Sequence, residues 1–267
     1  MKMESFPVGV GKAAREARRP AEAASPGIAF FDFDHTLIHG DAGPLFGKHL
    51  FLARRSRIEA RPHGPARFWA KCRLWGRYLP FFTWMGLNAA LYKLHARRRS
   101  GLVRTAYQGL RGIRVGEFRG LLDDFVDHTI PDRIYPTMVA ELRRHQHAGV
   151  RCVVVTTGME ELVARCLPHF PRGVELIGCR LVERNGRLTG RVHGPLFGVD
   201  KANILDAYCR ALGISPGDCW AYSDHYSDKE MLEAVGHPVA VNPRGRLRRL
   251  ALRRGWRVLE PRLDRLP

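Results

Sequence analysis

Polar side chains follow three apolar runs of the chain and could act together in catalysis. Asp32 and Asp34 follow one run, Asp224 follows a second, and Thr156 ends a third. Neighbouring carboxylates repel one another unless a cation lies between them, so their clustering predicts a bound metal. Hard oxygen ligands without a cluster of His or Cys residues favour Mg²⁺ over zinc. The pattern therefore predicts a Mg²⁺ site.

The apolar runs must be strands that bring these side chains together. Their short, β-branched and aromatic character is typical of buried strands, and helical segments separate them. Strands that alternate with helices predict a parallel α/β sheet, whose ligands collect at the carboxyl ends of the strands. The predicted strands are 27–33, 150–155, 219–222 and 238–241, the predicted helices are 160–167, 201–212 and 244–255, and a hairpin over 176–192 turns at Asn185-Gly186.

The pattern also divides the chain into segments. Residues 1–26 lack a hydrophobic period, so we expect a disordered N-terminal tail. Residues 42–145 are helical and Arg-rich in character, and they interrupt the sheet after its first strand. The expected organisation is a core over 27–41 and 146–267 with a helical insert over 42–145.

Four ordered motifs resemble those of haloacid dehalogenase-like (HAD) phosphohydrolases. Residues 32–36 resemble the DxDx[TV] signature, and Thr156 closes an apolar strand as in the second motif. Lys201 opens a helix as in the third motif, and residues 224–228 match the DxxxD of the fourth. The resemblance covers roughly residues 27–260. A helical insert after the first strand is similar to the cap of the phosphoserine-phosphatase-like branch, subfamily IB.

This resemblance implies an α/β Rossmannoid parallel sheet with helices on both faces and an inserted all-helical cap. It also implies a role for each motif residue. Asp32 would be the nucleophile that forms an aspartyl-phosphate, and Asp34 would be the general acid and then the general base. Thr156 and Lys201 would hold the phosphoryl oxygens.

The resemblance further implies how Mg²⁺ is held. Asp32, the backbone carbonyl of Asp34, and Asp224 would be ligands. Asp228 would be either an outer-shell ligand or the partner that orients Lys201.

Asp41 is a candidate specificity residue. In phosphoserine-specific relatives a glutamate at the corresponding place contacts the amino group of the substrate. The shorter side chain here argues against phosphoserine itself, and Asp41 could equally be a loop carboxylate or a helix N-cap.

The chain is strongly basic, with 44 Lys and Arg against 26 Asp and Glu and a net charge of +18. This excess could attract phosphate-bearing partners or acidic membranes. It could also reflect an Arg-rich composition spread over solvated faces, which we favour because arginines occur along the whole chain. We expect no specific nucleic-acid partner. Six cysteines without metal-ligand spacing, and no segment of signal-peptide type, predict a cytoplasmic protein.

An uncharged aromatic segment between Arg77 and Lys93 has three explanations. It could be the core of the cap, an apolar lining of the leaving-group pocket, or a patch in peripheral contact with a membrane. The last two would favour a lipid or another bulky phosphate as substrate.

The function that these patterns predict is Mg²⁺-dependent hydrolysis of a phosphomonoester, on a small or lipid-like phosphorylated metabolite. One alternative is a phosphotransferase on the same scaffold. Another is a non-catalytic basic protein that binds anionic membrane or nucleic acid.

Overall fold

A computed structural model describes residues 26–60, 62–76, 79, 83, 107–194 and 198–263. The predicted disordered tail therefore lies outside the described residues, apart from Pro26. Most of the aromatic segment between Arg77 and Lys93 also lies outside them, so its three explanations stay predictions.

A seven-stranded sheet organises the fold, with the strand order β4-β3-β2-β1-β5-β6-β7. Parallel pairing joins β3 to β2, β2 to β1, β1 to β5, β5 to β6 and β6 to β7. The predicted α/β class with a parallel sheet is thus confirmed. The strands are β1 Ile28–Phe31, β2 Arg151–Met159, β3 Glu175–Arg184, β4 Arg187–His193, β5 Trp220–Ser223, β6 His237–Val241 and β7 Arg257–Leu259.

Helices connect the parallel strands. They are α1 Ala42–Glu59, α2 with described residues 65–76, α3 Val115–Thr129, α4 Pro136–His147, α5 Glu160–Cys166, α6 Gly198–Leu212, α7 Lys229–Glu233 and α8 Gly245–Arg254.

Strand β1 lies at the centre of the sheet and is covered on both faces. All four of its residues are fully buried, as expected for a central parallel strand. Phe30 makes an edge-on ring contact with Tyr208 of α6, whereas Phe31 contacts His145 of α4. Successive residues of a strand point to opposite faces. Helices therefore pack on both faces of the sheet, as the resemblance implied.

The hairpin between β3 and β4 turns where the sequence predicts. Asn185 and Gly186 have φ values of 51° and 67°. Two consecutive residues with positive φ are the requirement of a type I′ turn, and Asn-Gly meets it at low steric cost.

The structure divides into two compact units. Among the described residues, one comprises 26–41, 126–180 and 193–263, and the other comprises those within 42–125 together with 181–192. Residues 126–145, predicted as part of the insert, group with the first unit, in which α4 packs beside β2. Residues 181–192, predicted as core, group with the second unit. The predicted domain boundaries themselves stay a prediction.

The second unit has an aromatic core of its own. Phe46 of α1 packs against Phe118 and Phe125 of α3, with ring centroids 5.6 and 5.5 Å apart. Arg54 and Glu117 form an ion pair at 3.0 Å between the same helices. Within the described ranges, no helix is both long enough and apolar enough to cross a bilayer.

Candidate active site

The candidate site lies where the strand order of the sheet reverses. From β1 the chain proceeds to β2 and β3 on one side and later to β5 and β6 on the other. In open α/β sheets this switch point leaves a crevice at the carboxyl ends of the strands. Asp32 follows β1 and Asp224 follows β5, so the two motif segments lie at the switch point.

Backbone pairing fixes Asp32 beside β5. Phe31 is in register with Tyr222, and the Asp32 N–H donates a hydrogen bond of 2.9 Å to the carbonyl oxygen of Tyr222. The rings of Phe31 and Tyr222 stack with centroids 4.3 Å apart. The sheet therefore holds the backbone of Asp32 rigidly.

Lys201 joins two of the predicted carboxylates. Its ammonium group donates hydrogen bonds of 2.7 Å to Asp32 Oδ1 and of 2.7 Å to Asp228 Oδ2. All three side chains are buried. Ser223 also donates to Asp228 Oδ2, at 2.8 Å. Asp228 thus holds Lys201 against Asp32.

The charges of this cluster do not balance. Burial raises the pKa of Asp32, and Asp228 adds to this effect while Lys201 opposes it. Burial by itself would lower the pKa of Lys201, but attraction to Asp228 and Asp32 raises it. The ammonium therefore stays charged between two carboxylates. With both carboxylates ionised, the cluster would carry two negative charges and one positive charge, an excess that a further cation would neutralise.

The Thr156 hydroxyl and the Asp34 carboxylate both lie close to Gly158. Gly158 donates its N–H to Thr156 Oγ1 at 2.9 Å. A Cβ atom at Gly158 would lie 3.1 Å from Thr156 Oγ1 and 3.9 Å from Asp34 Oδ2. A side chain at position 158 would therefore crowd the Thr156 hydroxyl, and glycine avoids this. Strand β2 continues past Thr156 to Met159 with a register irregularity, whereas the sequence predicted its end at Val155.

His35 lies among three acidic residues of this region. Its Nε2 is 3.3 Å from Asp41 Oδ2. This hydrogen bond raises the pKa of His35 against the effect of burial, and the charges of Asp41, Asp224 and Asp34 raise it further. The structure thus places Asp41 beside the first motif and in contact with a histidine.

The donor set can be compared with the requirements of Mg²⁺. Among the described residues, no three His, Cys, Asp or Glu side chains form a ready metal-binding group. Lys201 lies between Asp32 and Asp228 and binds one oxygen of each carboxylate. This partly explains why the two carboxylates do not belong to one metal-binding group. Mg²⁺ usually takes one or two carboxylates and keeps water or substrate phosphate at its other positions. The carboxylate oxygens of this site match that coordination preference of Mg²⁺.

Sequence reasoning gave no role to Ser223 or to the side chain of Tyr222. Ser223 is completely buried and holds Asp228. The Tyr222 hydroxyl donates to Glu141 Oε2 at 3.0 Å, and Arg257 donates to Glu141 Oε1 at 2.7 Å. Ser223 directly precedes Asp224, and a polar residue at the end of an apolar strand is the sequence signal that could have identified it. Nothing local in the sequence indicates the contact between Tyr222 and Glu141.

The sequence profile of the haloacid dehalogenase-like hydrolases matches residues 29–233. The chain therefore belongs to this family.

Individual relatives indicate which members of the family this chain is most similar in kind to. A phosphoserine phosphatase of Mycobacterium tuberculosis is 29% identical over 270 residues, which cover 97% of this chain and 78% of that protein. A probable phosphatase of the same organism is 30% identical over 242 residues, which cover 86% and 74%. The chain is thus a phosphoserine-phosphatase-like member of the family and an enzyme of phosphatase type.

Solved structures support the same fold. A Bordetella pertussis protein of unknown function is 28% identical, with a TM-score of 0.66 and coverage of 87% of this chain and 97% of that one. A substrate-bound phosphoserine phosphatase is 16% identical, with a TM-score of 0.61 and coverage of 89% and 94%. At 16% identity, the similarity to the phosphoserine phosphatase structure shows a shared fold only.

Proposed function

We propose that this chain is a Mg²⁺-dependent phosphatase that hydrolyses phosphomonoesters through a phosphorylated Asp32. The observation that carries the proposal is the ammonium group of Lys201, which lies 2.7 Å from both Asp32 and Asp228 at the switch point of the sheet. A buried cation beside a buried carboxylate suits a reaction in which that carboxylate attacks an anionic phosphoryl group.

Two carboxylates share the chemistry. A carboxylate oxygen of Asp32 attacks phosphorus, the bond from phosphorus to the leaving oxygen breaks, and Asp34 gives its proton to that oxygen. Asp34 then takes a proton from water as the water attacks the phosphorus of the aspartyl-phosphate. This second step releases inorganic phosphate and restores the Asp32 carboxylate. Residues i and i+2 of an extended segment point to the same side, so both can reach one phosphoryl group.

The remaining site residues hold charge. Lys201 and the Thr156 hydroxyl stabilise the phosphoryl oxygens, and glycine at position 158 avoids crowding this hydroxyl. We assign Asp228 to orienting Lys201, because it accepts hydrogen bonds from Lys201 and Ser223 through one oxygen and from Ser227 through the other.

Asp32, the backbone carbonyl of Asp34, and Asp224 would hold Mg²⁺. The ion would neutralise negative charge on the phosphoryl group during transfer.

The proposed substrate is a phosphorylated small molecule or lipid. Asp41 is engaged with His35 through a contact of 3.3 Å, so a substrate amino group would have to compete with an imidazole for this carboxylate. This supports substrates other than phosphoserine. A cytoplasmic location is part of the same proposal.

The proposal is tested with p-nitrophenyl phosphate and the Asp32→Asn variant. An amide cannot form the acyl-phosphate, so turnover should fall at least about a thousandfold. Asp206→Asn is the matched control, because Asp206 lies on the solvent side of α6 and pairs with Arg210. Chelation of Mg²⁺ should abolish activity, and added Mg²⁺ should restore it. Undiminished turnover in Asp32→Asn would exclude Asp32 as the nucleophile. Stoichiometric release of inorganic phosphate separates hydrolysis from transfer to an alcohol.

A further inference from the structure

Helix α2 presents large apolar side chains to solvent. Phe68 and Trp69 are each 60% exposed, and Trp75 is 46% exposed. Phe68 and Trp75 are seven residues apart, so two helical turns bring them to the same face. Leu52 of α1 and Leu79 are also exposed, at 44% and 51%. Exposed apolar side chains that cluster in this way indicate an interaction surface.

Other side chains of α2 are packed, so the exposure of Phe68 and Trp69 is not that of an unpacked helix. Leu74 of α2 is buried, and the Trp75 ring contacts Phe51 of α1 with centroids 5.3 Å apart. Phe68 and Trp69 contact each other edge-on at 5.6 Å. The helix is therefore packed through Leu74 and part of the Trp75 ring, while Phe68, Trp69 and the rest of Trp75 remain exposed.

The charged residues in the sequence around α2 are all basic. Between Glu59 and Glu117 the chain has twelve Lys and Arg residues and no Asp or Glu. Arginines occur along the whole chain, but acidic residues do not, so much of the net charge of +18 arises in this stretch. Arg73 is exposed on α2, and Arg57 of α1, whose side chain is 63% exposed, shares the single carboxylate of Glu117 with Arg54. Concentrated positive charge attracts an anionic surface.

We propose that the exposed side of α2 is a docking surface for an anionic lipid bilayer. We call Phe68, Trp69, Arg73 and Trp75 the α2 surface. Aromatic side chains beside cations are typical of helices that lie in the plane of the membrane interface. Each basic residue near an anionic membrane adds to the attraction.

Two comparisons favour lipid over nucleic acid. The Arg-rich helix α8 buries Leu247 and Leu250 and exposes the single leucine Leu252, so it offers cations without a cluster of exposed apolar side chains. On the α2 surface the cations accompany exposed apolar groups, and the aliphatic Leu52 and Leu79 are exposed as well. Single-stranded nucleic acid requires aromatic rings and cations but no aliphatic surface.

The test uses the full chain and flotation with two kinds of vesicle, phosphatidylcholine alone and phosphatidylcholine mixed with phosphatidylglycerol. We expect binding to the anionic vesicles and weaker binding to the neutral ones. The double variant Phe68→Ser/Trp69→Ser should lower the partition coefficient about tenfold or more. Arg73→Glu changes the charge by two, so it should lower the partition coefficient about 30-fold at low salt, and this difference should shrink at high salt.

Matched controls come from α8. Leu252 is 67% exposed, and Arg249 is exposed. Leu252→Ser and Arg249→Glu should therefore leave vesicle binding unchanged. All variants should keep the p-nitrophenyl phosphatase activity of the parent, which separates docking from the catalytic proposal and reports the fold.

Four results would overturn the inference. These are the absence of binding to anionic vesicles, equal binding by the double variant, binding to an RNA oligonucleotide without binding to vesicles, and a dimer in sedimentation that the double variant dissociates. The last result would make a second copy of the chain the occupant of the α2 surface.

Discussion

Single residues of the site depend on partners that lie far away in the chain. Lys201 and Asp32 are separated by 169 positions, yet their buried side chains form a direct hydrogen bond. Removing one member of a buried charged set leaves the others without compensation. We therefore expect activity to depend also on Asp228, which holds Lys201 without a proposed contact to the phosphoryl group.

Asp228→Asn tests this dependence. The variant removes one of the two negative charges that hold Lys201, so Lys201 should be oriented less well. We expect kcat/KM to fall about 10- to 100-fold, as for other residues that orient a site ligand. The free energy of unfolding should fall by about 1–3 kcal/mol. Steady-state kinetics and urea denaturation measure the two effects.

Ser227→Ala is the companion variant for Asp228→Asn. Ser227 contacts Asp228 Oδ1 at 3.3 Å, a weaker contact than that of Ser223. Its effect on both quantities should be smaller. Equal kcat/KM values for Asp228→Asn and the parent would show that Lys201 does not need this partner.

At the scale of elements, helix α4 carries a buried polar network behind the site. His145 Nε2 lies 2.8 Å from the Tyr222 hydroxyl, and Arg144 donates to Glu141 at 2.9 Å. Burial lowers the pKa of His145 to about 4, and the positive charge of Arg144 adds to this effect. Hydrogen bonds from Arg257, Arg144 and Tyr222 lower the pKa of Glu141 to about 2 against the effect of burial.

These shifts predict how stability depends on pH. The pKa of His145 is lower in the folded state than its ordinary 6.5, so the unfolded chain binds more protons between about pH 6.5 and 4. Stability should therefore fall by about 3 kcal/mol as the pH drops through this range. Glu141 should add a further loss between about pH 4.5 and 2.

His145→Gln should flatten the first part of this dependence. His147→Gln is the control on the same helix, because His147 is exposed. Urea denaturation from pH 7 to 4.5 measures the slopes of the unfolding free energy. The same slope in the parent and both variants would mean that His145 takes up its proton in the folded protein.

At the scale of the whole molecule, the six cysteines are free thiols, and Cys72 is exposed while the other five are buried. Burial raises the pKa of Cys152 and of Cys166 to about 12. A buried thiol with a high pKa reacts slowly, because the thiolate is the nucleophile.

An aromatic disulfide reagent such as Ellman's reagent should therefore titrate one thiol rapidly in the native protein and all six in denaturant. Cys72→Ser should abolish the rapid phase. A rapid phase of two or more thiols in the native protein would show that the core opens readily.

Local pattern was sufficient to locate several strands and the hairpin turn. The strands at Ile28–Phe31 and Trp220–Ser223 are short apolar runs, and Asn185-Gly186 meets the φ requirement of its turn, so each is determined by adjacent residues. The end of β2 was misplaced because the polar and glycine residues after Val155 resemble a loop, whereas parallel pairing with β3 resumes at Met159.

The sequence by itself determined which residue types stand at the ends of the strands and in what order, because these are properties of short segments. Only the tertiary structure decided that Asp228 and Ser223 hold Lys201, that His35 engages Asp41, and that the apolar side of α2 faces solvent. Contacts of this kind depend on strand register and helix packing, which bring together residues that the chain keeps apart. No window of neighbouring residues contains that information.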